Sequence, residues 1–234
     1  MTGKLDTEDA EARAAAVAAA RWRVEPGMTL GLGSGRAVLA LADALAGRWQ
    51  GESPVRVAAA STLTEARVRA AGLELIELNS DTTLDLAIDG ADEVDPQLNL
   101  LKGGGGALLR EKLVVAAARR VLIVAETRKQ VARLGTFHLL PVEVVRFAWQ
   151  TTRRRLLDLV PEATLRRNAT GAPMLTDEGH YLLDCKVPPG DLGDLAAALK
   201  ATLGVVDHGL FLGIADEVLL GHEDGTVRSL HRSR

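Results

Sequence analysis

The first 125 residues alternate short apolar runs with helical stretches, and few architectures other than a parallel sheet flanked by helices satisfy that rhythm. Residues 7–24 read as a helix stopped by Pro26-Gly27, residues 28–32 as a strand, and residues 37–46 as a helix ended by Gly47. The pattern repeats with a strand over 55–60, the N-cap residues Ser61 and Thr62, a helix over 63–71 up to Gly72, and strands over 73–78 and 84–88. A helix over 107–118 and a continuously apolar strand over 120–125 complete the series.

The rhythm changes near Phe137. Strand 141–147, helix 151–159, strands 163–168 and 181–187, helix 192–203 and strand 205–211 give a β-α-β-β-α-β order, the ferredoxin-like split motif. Residues 217–230 carry two short strand-like pieces around Glu223-Asp224-Gly225 and are expected to return to the first domain. The expected fold is α/β: a Rossmann-like, open, mainly parallel sheet with helices on both faces, plus a smaller ferredoxin-like α+β domain. The expected domains are 1–134 with 207–234, and 135–206.

A length of 234 residues with 47% hydrophobic content is ample for a buried core. A net charge of −3 gives no electrostatic reason to expect a nucleic acid or an anionic membrane as partner, so the expected ligand is a small molecule. The N-terminal stretch puts acids before a short alanine-rich run that is neither a signal peptide nor a membrane span, so the expected setting is cytoplasmic. The single cysteine, Cys185, excludes an internal disulfide and a multi-cysteine metal site, and reads as a buried thiol. His138, His180, His208, His222 and His231 lack the pair spacing of a helix-borne metal site, and no metal is assigned.

Chemistry concentrates where the strand over 84–88 ends. Asp89-Gly90-Ala91-Asp92-Glu93-Val94-Asp95 places four carboxylates in seven residues; Lys102 and the four glycines 103–106 follow, then Arg110-Glu111-Lys112. Clustered carboxylates repel one another, and each glycine costs about 0.5–1 kcal/mol of backbone entropy relative to alanine, so the segment needs a functional or conformational reason. Asp89 and Asp92 read either as acids kept apart by a cation or a ligand hydroxyl or as turn caps; Glu93 and Asp95 are expected to face water. Lys102 reads as a cation that converges with these acids and the bare glycine backbone, with a salt bridge to Asp89 or Asp92 as the plain alternative. Periodicity gives Arg110, Glu111 and Lys112 similar apolar surrounds and selects none of them.

Upstream, Gly31-Leu32-Gly33-Ser34-Gly35-Arg36 lies between a strand and a helix. Arg36 stands where the dinucleotide fingerprint needs glycine, and no acid ends the next strand, so a dinucleotide is rejected and no cofactor is expected. Two alternatives stay open: a single phosphate monoester held by backbone N–H groups with Ser34 and Arg36, or a tight turn with a solvated arginine.

Together these motifs resemble type A ribose-5-phosphate isomerases, in which a DGAD loop, a KGGG loop and an REK helix form the site. The resemblance runs from the first helix through the Gly31 loop, Asp89 to Lys112, Arg128-Lys129-Gln130-Val131, Pro141-Val142-Glu143-Val144 and the stretch from Gly204 to Gly221. It implies reversible, cofactor-free isomerisation of ribose 5-phosphate to ribulose 5-phosphate through an enediolate, a step of pentose phosphate metabolism. It also implies a homodimer or dimer of dimers, with the second domain as lid or oligomerisation unit.

Carried onto this chain, the resemblance makes Glu111 the general base, whose apolar surround favours a raised carboxyl pKa, and Asp89 the ring-opening acid-base group. Asp92 binds hydroxyls, and Lys102 with Gly103, Gly104 and Gly105 faces the oxyanion. Asp89, Gly90, Ala91 and Asp92 form a substrate loop, and Lys129 matches a substrate lysine. The phosphate loop departs from the family's near-TGST pattern: Ser34-Gly35-Arg36-Ala37 supplies one hydroxyl and a guanidinium. Arg13 falls near where relatives carry a lysine. The rival readings are another sugar-phosphate enzyme, such as an amino-sugar-phosphate deaminase, a coenzyme A transferase, or a non-catalytic sugar-phosphate sensor.

Overall fold

The computed structural model describes residues 2–49 and 53–232; the outer domain limits 1 and 234 expected above lie outside the described residues. Its strands are β1 (Thr29–Leu32), β2 (Arg56–Ala59), β3 (Glu74–Leu75), β4 (Leu86–Asp89), β5 (Glu93–Val94), β6 (Leu100–Leu101), β7 (Val121–Glu126), β8 (Leu140–Val144), β9 (Ala163–Leu165), β10 (Tyr181–Cys185), β11 (Val205–His208), β12 (Leu210–Phe211), β13 (Glu217–Gly221) and β14 (Val227–His231). Its helices are α1 (Thr2–Ala20), α2 (Arg36–Trp49), α3 (Thr62–Ala70), α4 (Leu108–Ala116), α5 (Trp149–Leu156) and α6 (Leu192–Ala201). No helix among the described residues is long and apolar enough to cross a membrane.

The chain divides into two compact units. The first, up to Ala91 with Arg110–Gln130 and the chain from Ile214 on, holds a seven-stranded sheet in the order β14-β13-β7-β4-β1-β2-β3. All neighbours in it are parallel except β13 and β14. Strand alternation explains why helices cover both faces. Leu30 and Leu32 of β1 enter a core with Val17 of α1 and Val38, Leu41 and Leu45 of α2, whereas the opposite face at Gly31 is closed by Val114 of α4. Chain order reverses at β1, which lies between β2 and β4, and such switch points are where open α/β sheets take ligands. The C-terminal ends of β1 and β4 carry the Gly33 loop and Asp89.

α2 departs from expectation, since it does not end at Gly47 but continues to Trp49. An internal glycine costs about 1 kcal/mol. Packing beyond it offsets that cost, since the Arg48 guanidinium donates to the carbonyls of Arg21 and Val24, both at 2.7 Å, and lies over the Trp22 and Trp49 rings.

The second unit, Asp92–Leu109 with Val131–Gly213, holds a four-stranded antiparallel sheet in the order β11-β8-β10-β9, with α5 and α6 as its helices. This is the strand order of the ferredoxin-like split motif. Leu140, Val142, Val144, Leu183 and Cys185 pack with Leu156, Leu195 and Leu199 on the helical face. Burial, helped by the charge of Asp184, pushes the Cys185 thiol up to about 12. A second, three-stranded sheet, β12-β6-β5, gathers strands two residues long; β12 falls in the expected strand 205–211, whereas periodicity does not reveal β5 and β6. Its pairing groups residues 92–109 with the second unit, whereas the sequence boundary assigned them to the first.

Candidate active site

Each of the four clustered carboxylates is engaged by backbone N–H groups. Asp89, 1% exposed at the end of β4, accepts from Ser34 N at 3.2 Å and Gly90 N at 2.7 Å on Oδ1. Ala91, next in this loop, is buried. Asp92 is half-buried and its Oδ2 accepts from Gly104 N at 2.8 Å.

Glu93 and Asp95 correct the sequence reading, because neither faces water. Glu93 is fully buried and accepts from the N–H groups of Gly135, Thr136, Phe137 and His138, so it gathers that loop through four main-chain donors. Asp95 is 5% exposed and closes its own turn, accepting from Gln97 N, Asn99 N and Asn99 Nδ2.

In the first unit, Asp89 is joined to the Gly33 loop. A Cβ on Gly33 would lie 1.9 Å from the Asp89 carboxylate, so only glycine allows this approach. The Ser34 hydroxyl lies 3.1 Å from that of Ser61, which lies 2.9 Å from that of Thr64; Thr64 donates to Gly33 O at 2.8 Å. Ser61 and Thr64 were not among the candidate residues. Ser61 was legible as a cap, and it does cap α3, accepting from Thr64 N at 3.1 Å. Its placement beside Ser34 depends on β2 lying next to β1.

Gly35 and Arg36 are exposed and Ala37 is half-buried where α2 begins, so first-turn amides meet the positive end of the helix dipole there. Arg36 and Arg13 both line a cavity of about 660 Å³, with Leu39 and Ala40 of α2 and Leu63 and Arg67 of α3. Arg13 pairs with Glu126 at 3.2 Å, and Lys129 reaches the same carboxylate at 3.0 Å. Burial raises the Glu126 pKa, but Lys129, by charge and hydrogen bond, and Arg13 outweigh it and hold the group below its usual range.

In the second unit, residues 103–106 form a turn closed by Gly106 N donating to Gly103 O at 3.0 Å, and Gly103 and Gly106 take φ of +100° and +87°, where side chains are strained. Gly104 and Gly105 are exposed. Among the described residues the Gly105 N–H has no hydrogen-bond partner. Lys102, just before the turn, is 3% exposed, with Nζ 5.5 Å from the centroid of the Phe211 ring.

Burial separates the charged trio that periodicity left equal. Glu111 is 5% exposed in the first turn of α4, whereas Arg110 and Lys112 are half-buried, Arg110 3.6 Å from Glu65. A carboxylate withdrawn from water is one that can serve as a proton acceptor. Among the described residues no group of three His, Cys, Asp or Glu side chains is placed to hold a metal ion.

Comparison with known proteins points the same way. The family model described as ribose 5-phosphate isomerase A (phosphoriboisomerase A) matches residues 56–225. A ribose-5-phosphate isomerase A of Synechococcus sp. (strain JA-3-3Ab) is 47% identical over 95% of this chain and 98% of its own length. The solved ribose 5-phosphate isomerase of Plasmodium falciparum superposes with a TM-score of 0.88 at 33% identity, covering 97% of this chain and 100% of that one. A D-ribose-5-phosphate isomerase solved in complex with phospho-erythronic acid gives 0.90 at 31% identity, covering 95% and 98%. On matches of this extent, the chain belongs to the ribose 5-phosphate isomerase A (phosphoriboisomerase A) family.

Proposed function

We propose that this protein interconverts D-ribose 5-phosphate and D-ribulose 5-phosphate with Glu111 as general base. Beyond family membership, the burial of Glu111 alone among the charged trio of α4 carries the assignment of the base. After ring opening, in which Asp89 moves the anomeric hydroxyl proton toward the ring oxygen, the Glu111 carboxylate takes the proton from C2 of the aldose. The C1 carbonyl oxygen takes up negative charge. Return of that proton to C1, with transfer of the O2 hydroxyl proton to O1, gives the ketose, so no redox cofactor enters the balance. Positioned bases of this kind contribute about 10²–10⁴ in rate.

Lys102 and the glycine turn supply positive charge and N–H donors for the oxygen that becomes negative. Asp92, held at Gly104 N, binds sugar hydroxyls. The phosphate takes the amides of Gly35, Arg36 and Ala37 with the Ser34 hydroxyl and the Arg36 guanidinium, and Lys129 adds a cation. A homodimer or dimer of dimers in the cytoplasm, with the second unit as lid or oligomerisation domain, belongs to the same proposal and is checked by sedimentation. The defining experiment follows ribulose 5-phosphate formation in buffer containing a chelator. Sustained turnover is expected; a folded protein without turnover would sink the assignment.

A further inference from the structure

The glycine turn is gripped from its carbonyl side by a residue that no sequence motif pointed to. Arg166, which follows β9, donates from Nη1 to Gly103 O at 2.8 Å and to Gly104 O at 3.0 Å. Its guanidinium is itself fixed by Asp184 of β10: Nε lies 3.1 and 2.9 Å from the two carboxylate oxygens, and Nη2 donates to Oδ1. The two side chains are only 14% and 21% exposed. A paired, partly buried guanidinium with both ends committed is a rigid strut.

Peptide planarity converts that grip into a direction. In a trans peptide the C=O of one residue and the N–H of the next point opposite ways. With the carbonyls of Gly103 and Gly104 both drawn to Arg166, the N–H groups of Gly104 and Gly105 are turned the other way. The first meets Asp92 Oδ2 at 2.8 Å, as this requires. The second, unpartnered among the described residues, is left aimed outward from the strut. The Gly103–Gly104 plane is also held by Gly106 N on the Gly103 carbonyl and by Asp92 on the Gly104 N–H, but glycines do not hold peptide planes by sterics, so without the strut the Gly104–Gly105 plane rotates at little cost. A cation on the carbonyl also polarises the peptide and strengthens its N–H as a donor.

We propose that Arg166, locked by Asp184, is a positioning residue that orients and strengthens the Gly105 N–H as a donor to the oxyanion formed during isomerisation. The inference rests on the isomerase reading and deepens it. Arg166 touches no reacting atom; it acts through the backbone of the turn.

The test compares wild type, Arg166→Ala, Asp184→Asn and Arg167→Ala, measuring kcat, KM for ribose 5-phosphate and inhibition by phospho-erythronic acid, whose carboxylate offers a fixed anion in place of the developing one. Removing an oxyanion donor outright costs about 10²–10³ in kcat, and misaiming one costs part of that. Arg166→Ala is expected to lower kcat about 10–100-fold and weaken phospho-erythronic acid about tenfold, with KM within about twofold of wild type, and Asp184→Asn to change kcat and inhibition the same way by less. Arg167→Ala, whose guanidinium donates to the Gly171 carbonyl, is expected to match wild type. Circular dichroism checks folding; if Arg166→Ala does not fold, Asp184→Asn carries the test. Wild-type kcat in the folded variants, or a loss confined to KM, would overturn the inference. An inactive wild type would instead overturn the isomerase assignment.

Discussion

The carboxylate of Asp89 fills the space that a side chain at Gly33 would need, 1.9 Å from where its Cβ would stand, and holds the next residue, Ser34, through its N–H. The last residue of β4 and the turn after β1 are therefore one construction. The acid proposed to open the sugar ring is set by the backbone of the loop proposed to hold the phosphate.

Gly33→Ala follows directly. The added methyl forces Asp89 or the loop to move, at a cost typical of overpacking, about 1–3 kcal/mol. Turnover is expected to fall at least about tenfold, with a lowered thermal midpoint, because the shift reaches both groups at once. A variant with wild-type kinetics would show that the loop absorbs the methyl without disturbing Asp89.

Glu111→Gln removes the base while keeping shape and hydrogen-bonding capacity. Turnover is expected to drop about 10²–10⁴-fold, with sugar-phosphate affinity by calorimetry nearly unchanged. Undiminished turnover would move the base elsewhere.

Arg36 is exposed at the first turn of α2, so its removal should act on binding rather than chemistry. Arg36→Ala is expected to raise KM about tenfold, in keeping with the loss of one charge-assisted phosphate contact, at little change in kcat. An unchanged KM would leave the phosphate to the backbone amides and Ser34.

Glu93→Ala strands four main-chain donors, those of Gly135, Thr136, Phe137 and His138. Stranding a buried donor costs about 1–3 kcal/mol, but these four belong to exposed or half-buried residues that water can reach, so a total loss of about 1–3 kcal/mol in denaturant unfolding is expected. A loss below about 1 kcal/mol would show that the loop finds other acceptors.

Glu126 sets an acid-side dependence. Burial alone would raise its pKa, but Lys129 and then Arg13 hold it below the ordinary value of 4.5. A folded-state pKa below the unfolded one adds stability above the unfolded value, and that stability is lost as pH falls through the folded value. Glu126→Gln is expected to destabilise the protein at neutral pH, and the gap from wild type should close on the acid side of 4.5. A constant gap across that range would place the contribution in packing rather than charge.

The sequence alone determined the alternation that makes the parallel sheet, the β-α-β-β-α-β order of the ferredoxin-like unit, and the place of Asp89 at a strand's carboxyl end. These depend on local periodicity and punctuation, which lie within one element and its neighbours. Tertiary structure decided which charges are buried and which partners they take. Glu93 and Asp95 were not separable by sequence from Asp89 and Asp92, because their partners at positions 135–138 and within a turn are chosen by the folded chain. Burial, a property of the packed helix, distinguished Glu111 from Arg110 and Lys112. Gly47 reads as a helix end until the contacts of Arg48 are known. Arg166 lies 63 residues from the Gly103 carbonyl it grips, and no local pattern could announce a contact made only when β9 and β10 pair.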